Sequence, residues 1–206
     1  MDQLTDAIQR YYDDRAQTYD EWTKRWLNID RSVMIPHVRH ARRLIEFGCG
    51  TGLNLLYINQ DTEYIGLDVS GQMLKKARHR LRGRAGRVVH TPAFEYNDTA
   101  RCDIALATFF FSVDPHWERD MKRLVTHVRP GGRVVFIDHC YRNPGAVRKA
   151  LGGVQYMTCR SNYYRDIKGA MLDCNILITG EDSLGCYGRH FPREVRMFVG
   201  IPKKEN

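Results

Sequence analysis

Apolar runs of the β type recur along the chain at RLIEF (43–47), EYIGLD (63–68), RVVHT (87–91), DIALAT (103–108) and RVVFID (133–138). Two more, CNILITG (174–180) and VRMFVGI (195–201), close it. Between the first five, the spacing of apolar residues turns helical. Ser70 stands where it can cap a helix whose inward stripe is Met73, Leu74, Ala77 and Leu81. Asp114 and Pro115 open another, with Trp117, Met121, Leu124, Val125 and Val128 on one face, and RPGG (129–132) ends it. Before residue 40 there is no strand pattern, so that segment is expected to be helical and to lie over the ligand edge of the sheet. Strands alternating with helices predict an α/β, doubly wound fold, a parallel sheet with helices on both faces.

The first run empties into LIEFGCGTGLNLL (44–56), with three glycines in five positions. Bare backbone of this kind turns sharply and lets a ligand approach closely. A buried strand leading into a Gly-rich turn and then a helix is a nucleotide cradle in most α/β folds. Gly48, Gly50 and Gly52 read G-x-G-x-G rather than the G-x-G-x-x-G of a dinucleotide site, and no lysine follows closely enough for a P-loop. Glu46, two residues before the first glycine, would repel a phosphate and suits an amino group. Asp68 ends the next run, where a carboxylate can accept both hydroxyls of a ribose. A ligand with a ribose, an ammonium group and no phosphate is S-adenosylmethionine (SAM).

Composition narrows the class without naming it. At 206 residues, 43% hydrophobic and 27% charged, the chain is expected to be one ordinary globular domain. Cysteines at 49, 102, 140, 159, 174 and 186 form no CxxC pair, so they read as reduced thiols of a cytoplasmic protein rather than a zinc or disulfide framework. The start, MDQLTDAIQR, is polar and acidic, unlike a signal peptide, and IALATFFFSV is too short to span a bilayer. The net charge is +8, much of it in KKARHRLRGRAGR (75–87), which reads chiefly as a solvated helix face. That charge leaves room for a weak contact with an anionic membrane surface.

Taken in order, IEFGCGTG, IGLDVSGQML and VRPGGRVVFID resemble the class I SAM-dependent methyltransferases. The likeness is nearest to the branch of small ubiquinone/menaquinone-type and phospholipid-type methyltransferases. YYDDRAQTYDEW adds to it, with Tyr12-Asp13, Ala16 and Tyr19-Asp20 in the order typical of that branch. The resemblance covers residues about 11 to 140. It implies a Rossmann-like, seven-stranded, mostly parallel sheet whose last strand is antiparallel. It implies one domain over 1–206, with a helical lid at 1–40, a SAM-binding core at 41–140, and a substrate cover with the last two strands at 141–206.

The same resemblance implies roles. Gly48, Gly50 and Gly52 would admit the methionine part and the ribose, Glu46 would organise the floor of the turn, and Asp68 would bind the ribose hydroxyls. Val69 and Met73 would touch the adenine, and Thr108, at the fourth-strand tip, joins the cofactor contacts. Tyr12 and Tyr19 lie seven apart on one helical face, as a cofactor lid or as plain packing. One departure stands out. Thr91-Pro92-Ala93 occupies the place of the family's usual Gly-Asp-Ala, whose acid pairs with the adenine amino group. That leaves the backbone N–H groups of Ala93 and Phe94, and the Phe94 ring, to meet the adenine, since Pro92 cannot donate.

The acceptor is less legible. The fourth-strand tip, LATFFFSVD, lacks the polar-Pro-Pro-aromatic motif of base-amine enzymes, which argues against nucleic acid, and it carries no carboxylate set for a metal. Phe109, Phe110 and Phe111 offer aromatic surface to an apolar or cationic substrate, or serve as strand-end core. Methyl transfer is an in-line displacement that needs placement and exclusion of water, and a base only if a proton must leave. His139, with Tyr141 beside it, is the candidate base, ahead of His116 and His190. Tyr141, Tyr156, Tyr163 and Tyr164 suit an aromatic or amine acceptor, whereas Arg142, Arg148, Arg160 and Arg165 suit a carboxylate or phosphate. The reading is metal-free methyl transfer from SAM to a small-molecule or lipid acceptor, with S-adenosylhomocysteine (SAH) as product. RNA methylation and a non-catalytic SAM-binding module are the alternatives.

Overall fold

The computed structural model describes residues 2–140, 161–163, 165–187 and 193–203. Its strands are β1 (Arg43–Phe47), β2 (Glu63–Asp68), β3 (Gly86–His90), β4 (Cys102–Thr108), β5 (Val128–Cys140), β6 (Ile176–Tyr187) and β7 (Arg193–Pro202). They form one sheet in the order β3-β2-β1-β4-β5-β7-β6. β1 lies parallel between β2 and β4, with Ile45 opposite both Ile65 and Ala105, and β7 runs antiparallel between β5 and β6. This is the doubly wound architecture that the alternation of elements predicts.

Successive strand residues point to opposite faces, so a strand covered on both sides needs apolar residues throughout. Leu44, Leu106, Val135 and Val199 pack under α4 (Gly71–Leu81) and the N-terminal α3 (Ile35–Val38). Ile45, Ala105, Phe136 and Phe198 pack under α5 (Trp117–Thr126) and α6 (Ile167–Asp173). Ser70 caps α4 by accepting the Met73 N–H, and Met73, Leu74, Ala77 and Leu81 are buried, as their spacing predicts.

Three local expectations change. The glycine turn leads into a single 3-10 turn, Leu53–Leu56, rather than a long helix, because Asn54 is drawn inward to polar partners while Leu56 is left 69% exposed. Asp114 does not cap α5: its carboxylate turns back on the His116 N–H, and the helix starts at Trp117 with no side-chain cap. Val128 belongs to β5, whose pairing with β4 shifts between Val128 and Arg133, so Pro130 and Gly131 form a bulge inside the strand.

The N-terminal segment is helical, with α1 (Gln3–Arg15) and α2 (Tyr19–Trp26) ahead of α3. Asp2 caps α1 through the N–H groups of Leu4 and Thr5. The basic run over 75–87 is less solvated than expected. Lys76 donates to the Gln17 carbonyl, Arg80 to Asp20 and the Thr51 carbonyl, Arg84 to the carbonyls of Leu55, Ile58 and Asn59, and Arg87 to Asp98. Much of the positive charge is therefore stitching. Among the described residues Cys49, Cys102, Cys140 and Cys174 are free thiols, and no helix is long and apolar enough to cross a membrane.

Candidate active site

Beneath the glycine turn lies a buried polar floor. Glu46 is 1% exposed, and its two oxygens accept from Asn54 and from the Tyr64 hydroxyl. Asn54 also donates to Thr108 Oγ1 at 2.8 Å. Arg31, itself buried, reaches in from the N-terminal segment to Asn54 Oδ1 at 2.6 Å and Thr108 Oγ1 at 3.1 Å. Burial pushes the Glu46 carboxyl up to about 7 against the pull of its Tyr64 and Asn54 bonds and the nearby Arg31 charge. A carboxyl of this kind, each oxygen accepting one bond from within, organises the floor of the turn.

Above the floor, Asp68 accepts the N–H of Gly50 through Oδ2 and of Ser70 through Oδ1, both at 2.8 Å. Burial raises it to about 6 despite those bonds. Each oxygen keeps a further lone pair, which two vicinal hydroxyls can use. All three loop glycines have positive φ. Gly48 lies directly under the Phe110 ring, where a Cβ would come within 2.5 Å of Cδ2. Gly52 lies against α4, with a Cβ 3.2 Å from Ala77 Cα, so its role is packing. Gly50 faces open space, and that is where a ligand can approach the backbone.

The repeated Tyr-Asp of the N-terminal segment has a mechanical sense. Asp13 accepts the Ser70 hydroxyl at 2.6 Å and the Gln72 N–H at 3.0 Å, pinning α1 to the start of α4. Asp20 accepts the Thr51 hydroxyl at 2.6 Å and Arg80 Nη2 at 2.7 Å, pinning α2 to the glycine turn. Partial burial works upward on both acids, yet these bonds hold both below the ordinary carboxylate range. His116 Nε2 lies 2.7 Å from Asp2 Oδ2 and ties the start of α1 to the loop after β4. With the aspartates anchored, Tyr12 and Tyr19 face inward, their rings 6.0 Å apart edge to face.

Two cavities result, and they share Tyr12 and Val113. The first runs past Gly48, Asp68, Val69, Ala93, Phe94 and Phe110. The second, about 230 Å³, has walls of Tyr11, Tyr12, Tyr19, Trp22, Phe109 and Tyr163, with Arg15 among its lining residues. His139 lines it too. It is 5% exposed, with its ring centroid 4.3 Å from Tyr163 and 5.2 Å from Phe109. Asp138 accepts the backbone N–H of His139 and of Ser112, and burial raises its carboxyl to about 6. Phe109, just after β4, has φ of +53°, a strained conformation for a bulky residue, and its ring lines the second cavity.

The residues singled out in the sequence therefore divide. Tyr12, Gly48, Asp68, Val69, Ala93 and Phe94 meet on the first cavity, and Tyr19 and His139 on the second. Met73, expected against the adenine, lines neither, because its place on the inward stripe of α4 buries it to 1%. Thr108 is likewise drawn into the floor by Asn54 and Arg31, and Glu46 lies there with it. Phe94 has one ring face covered by the Arg119 guanidinium, 3.5 Å from the centroid. Phe111 is core, edge to face with Phe136. His116 pairs with Asp2 at the start of α1, and Arg165 donates to the carbonyls of Phe111 and Asp114. Tyr141, Arg142, Arg148, Tyr156, Arg160, Tyr164 and His190 lie outside the described residues.

Residues 45–134 match the family model described as a methyltransferase domain. A phosphatidylethanolamine N-methyltransferase of Cereibacter sphaeroides is 31% identical over 156 residues, which are 71% of this chain and 76% of the relative. Among solved structures, a chain from the complex of the Haloferax volcanii Trm112 methyltransferase activator with a methyltransferase is similar at a TM-score of 0.72. Its sequence is 13% identical, and the match covers 97% of this chain and 99% of that one. The N-methyltransferase NodS of Bradyrhizobium japonicum is similar at 0.62 and 12% identity, over 84% of this chain and 92% of its own. At such identities these structures show the shared fold. The chain belongs to the class I SAM-dependent methyltransferases, and it is an enzyme of methyl transfer.

Proposed function

We propose that this methyltransferase acts on an amine, carried by a small-molecule or lipid acceptor held in the second cavity. The observation that carries the proposal is the lining of that cavity: among the described residues it holds the rings of Tyr11, Tyr12, Tyr19, Trp22, Phe109 and Tyr163 and no carboxylate. A nucleophilic amine must be neutral, and a carboxylate beside it would hold it protonated. Aromatic faces leave the lone pair free and attract the cation that forms on methylation. The relative that is a phosphatidylethanolamine N-methyltransferase supports an amine headgroup. Arg15 in the lining, with Trp22 49% exposed beside it, suits the phosphate and the apolar boundary of such a lipid.

SAM supplies an electrophilic methyl group on a sulfonium. For this cofactor the residues fit: Asp68 would accept the ribose hydroxyls, and the turn at Gly48 and Gly50 would receive the sugar and the methionine part. Val69, Ala93 and Phe94 would flank the adenine. Arg31, the buried cation of the floor, would balance the methionine carboxylate. Tyr12, on both cavities, would close the boundary between donor and acceptor and exclude water. His139 would take the proton that leaves the methylated nitrogen.

The test offers methyl-labelled SAM with phosphatidylethanolamine vesicles, with free ethanolamine and phosphoethanolamine, and with total RNA. Label in an N-methylated headgroup or amine is expected. Label confined to RNA at physiological salt would overturn the proposal.

A further inference from the structure

We propose that Asp114 and Asp120 form the edge of the first cavity that reads the amino group of the adenine. The inference rests on the cofactor site proposed above. That cavity continues from Asp68 past Val69, Pro92, Ala93 and Phe94 to these two carboxyls, which with Asp68 are the acids among its lining residues. Both are buried, Asp114 to 8% and Asp120 to 2% exposure. Asp114 Oδ1 accepts the His116 N–H, whereas Oδ2, also buried, meets no hydrogen-bond donor among the described residues. A buried carboxylate oxygen without a donor is costly, and a ligand N–H would remove that cost.

Arg165, His116 and Arg119 favour the charged form of Asp114, yet no described donor reaches its Oδ2. Arg119 lies over the Phe94 ring, and its contact with Asp120 Oδ1 is long, at 3.4 Å. Arg165 donates to backbone carbonyls, that of Asp114 among them. His116 points to Asp2. Two buried carboxyls side by side hold one proton between them and carry a single negative charge, with burial and the Asp114 charge holding Asp120 up to about 8. Such a pair offers one acceptor and one acidic O–H. The adenine edge offers an amino N–H beside an unprotonated ring nitrogen, which is the complementary pattern. Ile8, Leu67, Val69 and Ala93 supply apolar walls for the flat faces of the base. The residues that follow β3, Thr91-Pro92-Ala93, carry no acid of their own, so recognition of the amine falls to the loop after β4 and the first turn of α5.

The experiment measures by calorimetry the affinity of the full chain for SAH and for its purine analogue lacking only the 6-amino group. The parent protein is expected to prefer SAH by about tenfold or more, because the analogue leaves the carboxyls unpaired. Asp114→Ala and Asp120→Asn are expected to lose that preference, while Asp68→Ala weakens both ligands together and keeps it. If Asp114→Ala fails to fold, the nearly isosteric Asp120→Asn carries the test. A preference that survives in the Asp114 and Asp120 variants, or is missing from the parent, overturns the proposal. SAH binding that is indifferent to Asp68→Ala overturns instead the cofactor site on which the proposal rests.

Discussion

Replacing Asp20 by alanine removes the clamp between α2 and the glycine turn, and the size of the effect follows from its partners. The carboxylate accepts Thr51 Oγ1 at 2.6 Å and Arg80 Nη2 at 2.7 Å, with Lys76 Nζ at 3.8 Å. A hydrogen bond to a charged group contributes about 1.5–3 kcal/mol net, an exposed ion pair only about 0–1 kcal/mol. The Asp20 side chain is 24% exposed, between those limits, and Arg80 keeps its bond to the Thr51 carbonyl in the variant. The loss is therefore about 2 kcal/mol, or roughly thirtyfold in the equilibrium that holds α1 and α2 over the cavities. Asp20→Asn keeps an acceptor for Thr51 and loses only the charge, so its effect is expected to be about 1 kcal/mol. Hydrogen exchange read by mass spectrometry over residues 3–26, with SAH affinity measured alongside, follows the opening directly. Faster exchange in that stretch, with the sheet unchanged and SAH binding weakened in step, is the expected result. Parent-like exchange and affinity in Asp20→Ala would refute the clamp and leave Asp20 without a part in holding α2 to the glycine turn.

Asp68→Ala is expected to weaken SAH binding by about 2–3 kcal/mol, since two hydroxyls lose a charged acceptor; unchanged calorimetric affinity would move the ribose elsewhere. Gly50→Val should abolish SAH binding and keep the fold by circular dichroism, at a melting temperature lowered by the strain of a side chain at φ of +55°; Gly52→Ala, pressed on Ala77 at φ of +79°, should lower the melting temperature as well. Glu46 gives a pH signature. Its folded pKa, about 7, lies above the ordinary 4.5, so the native state holds the proton more tightly. Its contribution to stability is full below about 4.5 and is lost as pH rises through about 7, on the order of 3 kcal/mol at most. Urea midpoints at pH 5 and pH 8 should therefore differ less in Glu46→Gln than in the parent.

The sheet was legible because its strands are continuous apolar runs such as RLIEF and RVVFID, which burial on both faces demands. α4 was legible from Ser70 and its four-residue stripe; Asp68, singled out by its distance to Gly48, ends β2 and accepts the N–H groups of Gly50 and Ser70. What local pattern did not reveal was long-range polar pairing. Arg31 sits in NIDRSVMIP as one base among many, and its partners, Asn54 and Thr108, are 23 and 77 residues away. Asn54 looked like part of a helix, but its bond to Glu46 pulls it inward and holds the segment to one 3-10 turn. Asp13 and Asp20 were visible as a repeat, while their anchors on Ser70 and Arg80 appear only once α4 packs beside α1. Met73 and Thr108 stand close to the cavities along the chain but line neither: Met73 is buried on the inward stripe of α4, and Thr108 is held in the floor beside Arg31.

The arrangement of the two cavities across Tyr12 is tested most directly by a crystal structure of the chain with SAH. The ribose hydroxyls are expected on Asp68, the adenine between Val69 and Phe94, and the homocysteine sulfur turned toward the cavity of Tyr163 and His139. Density for the adenosine away from Asp68, or a sulfur facing away from that aromatic cavity, would contradict that arrangement.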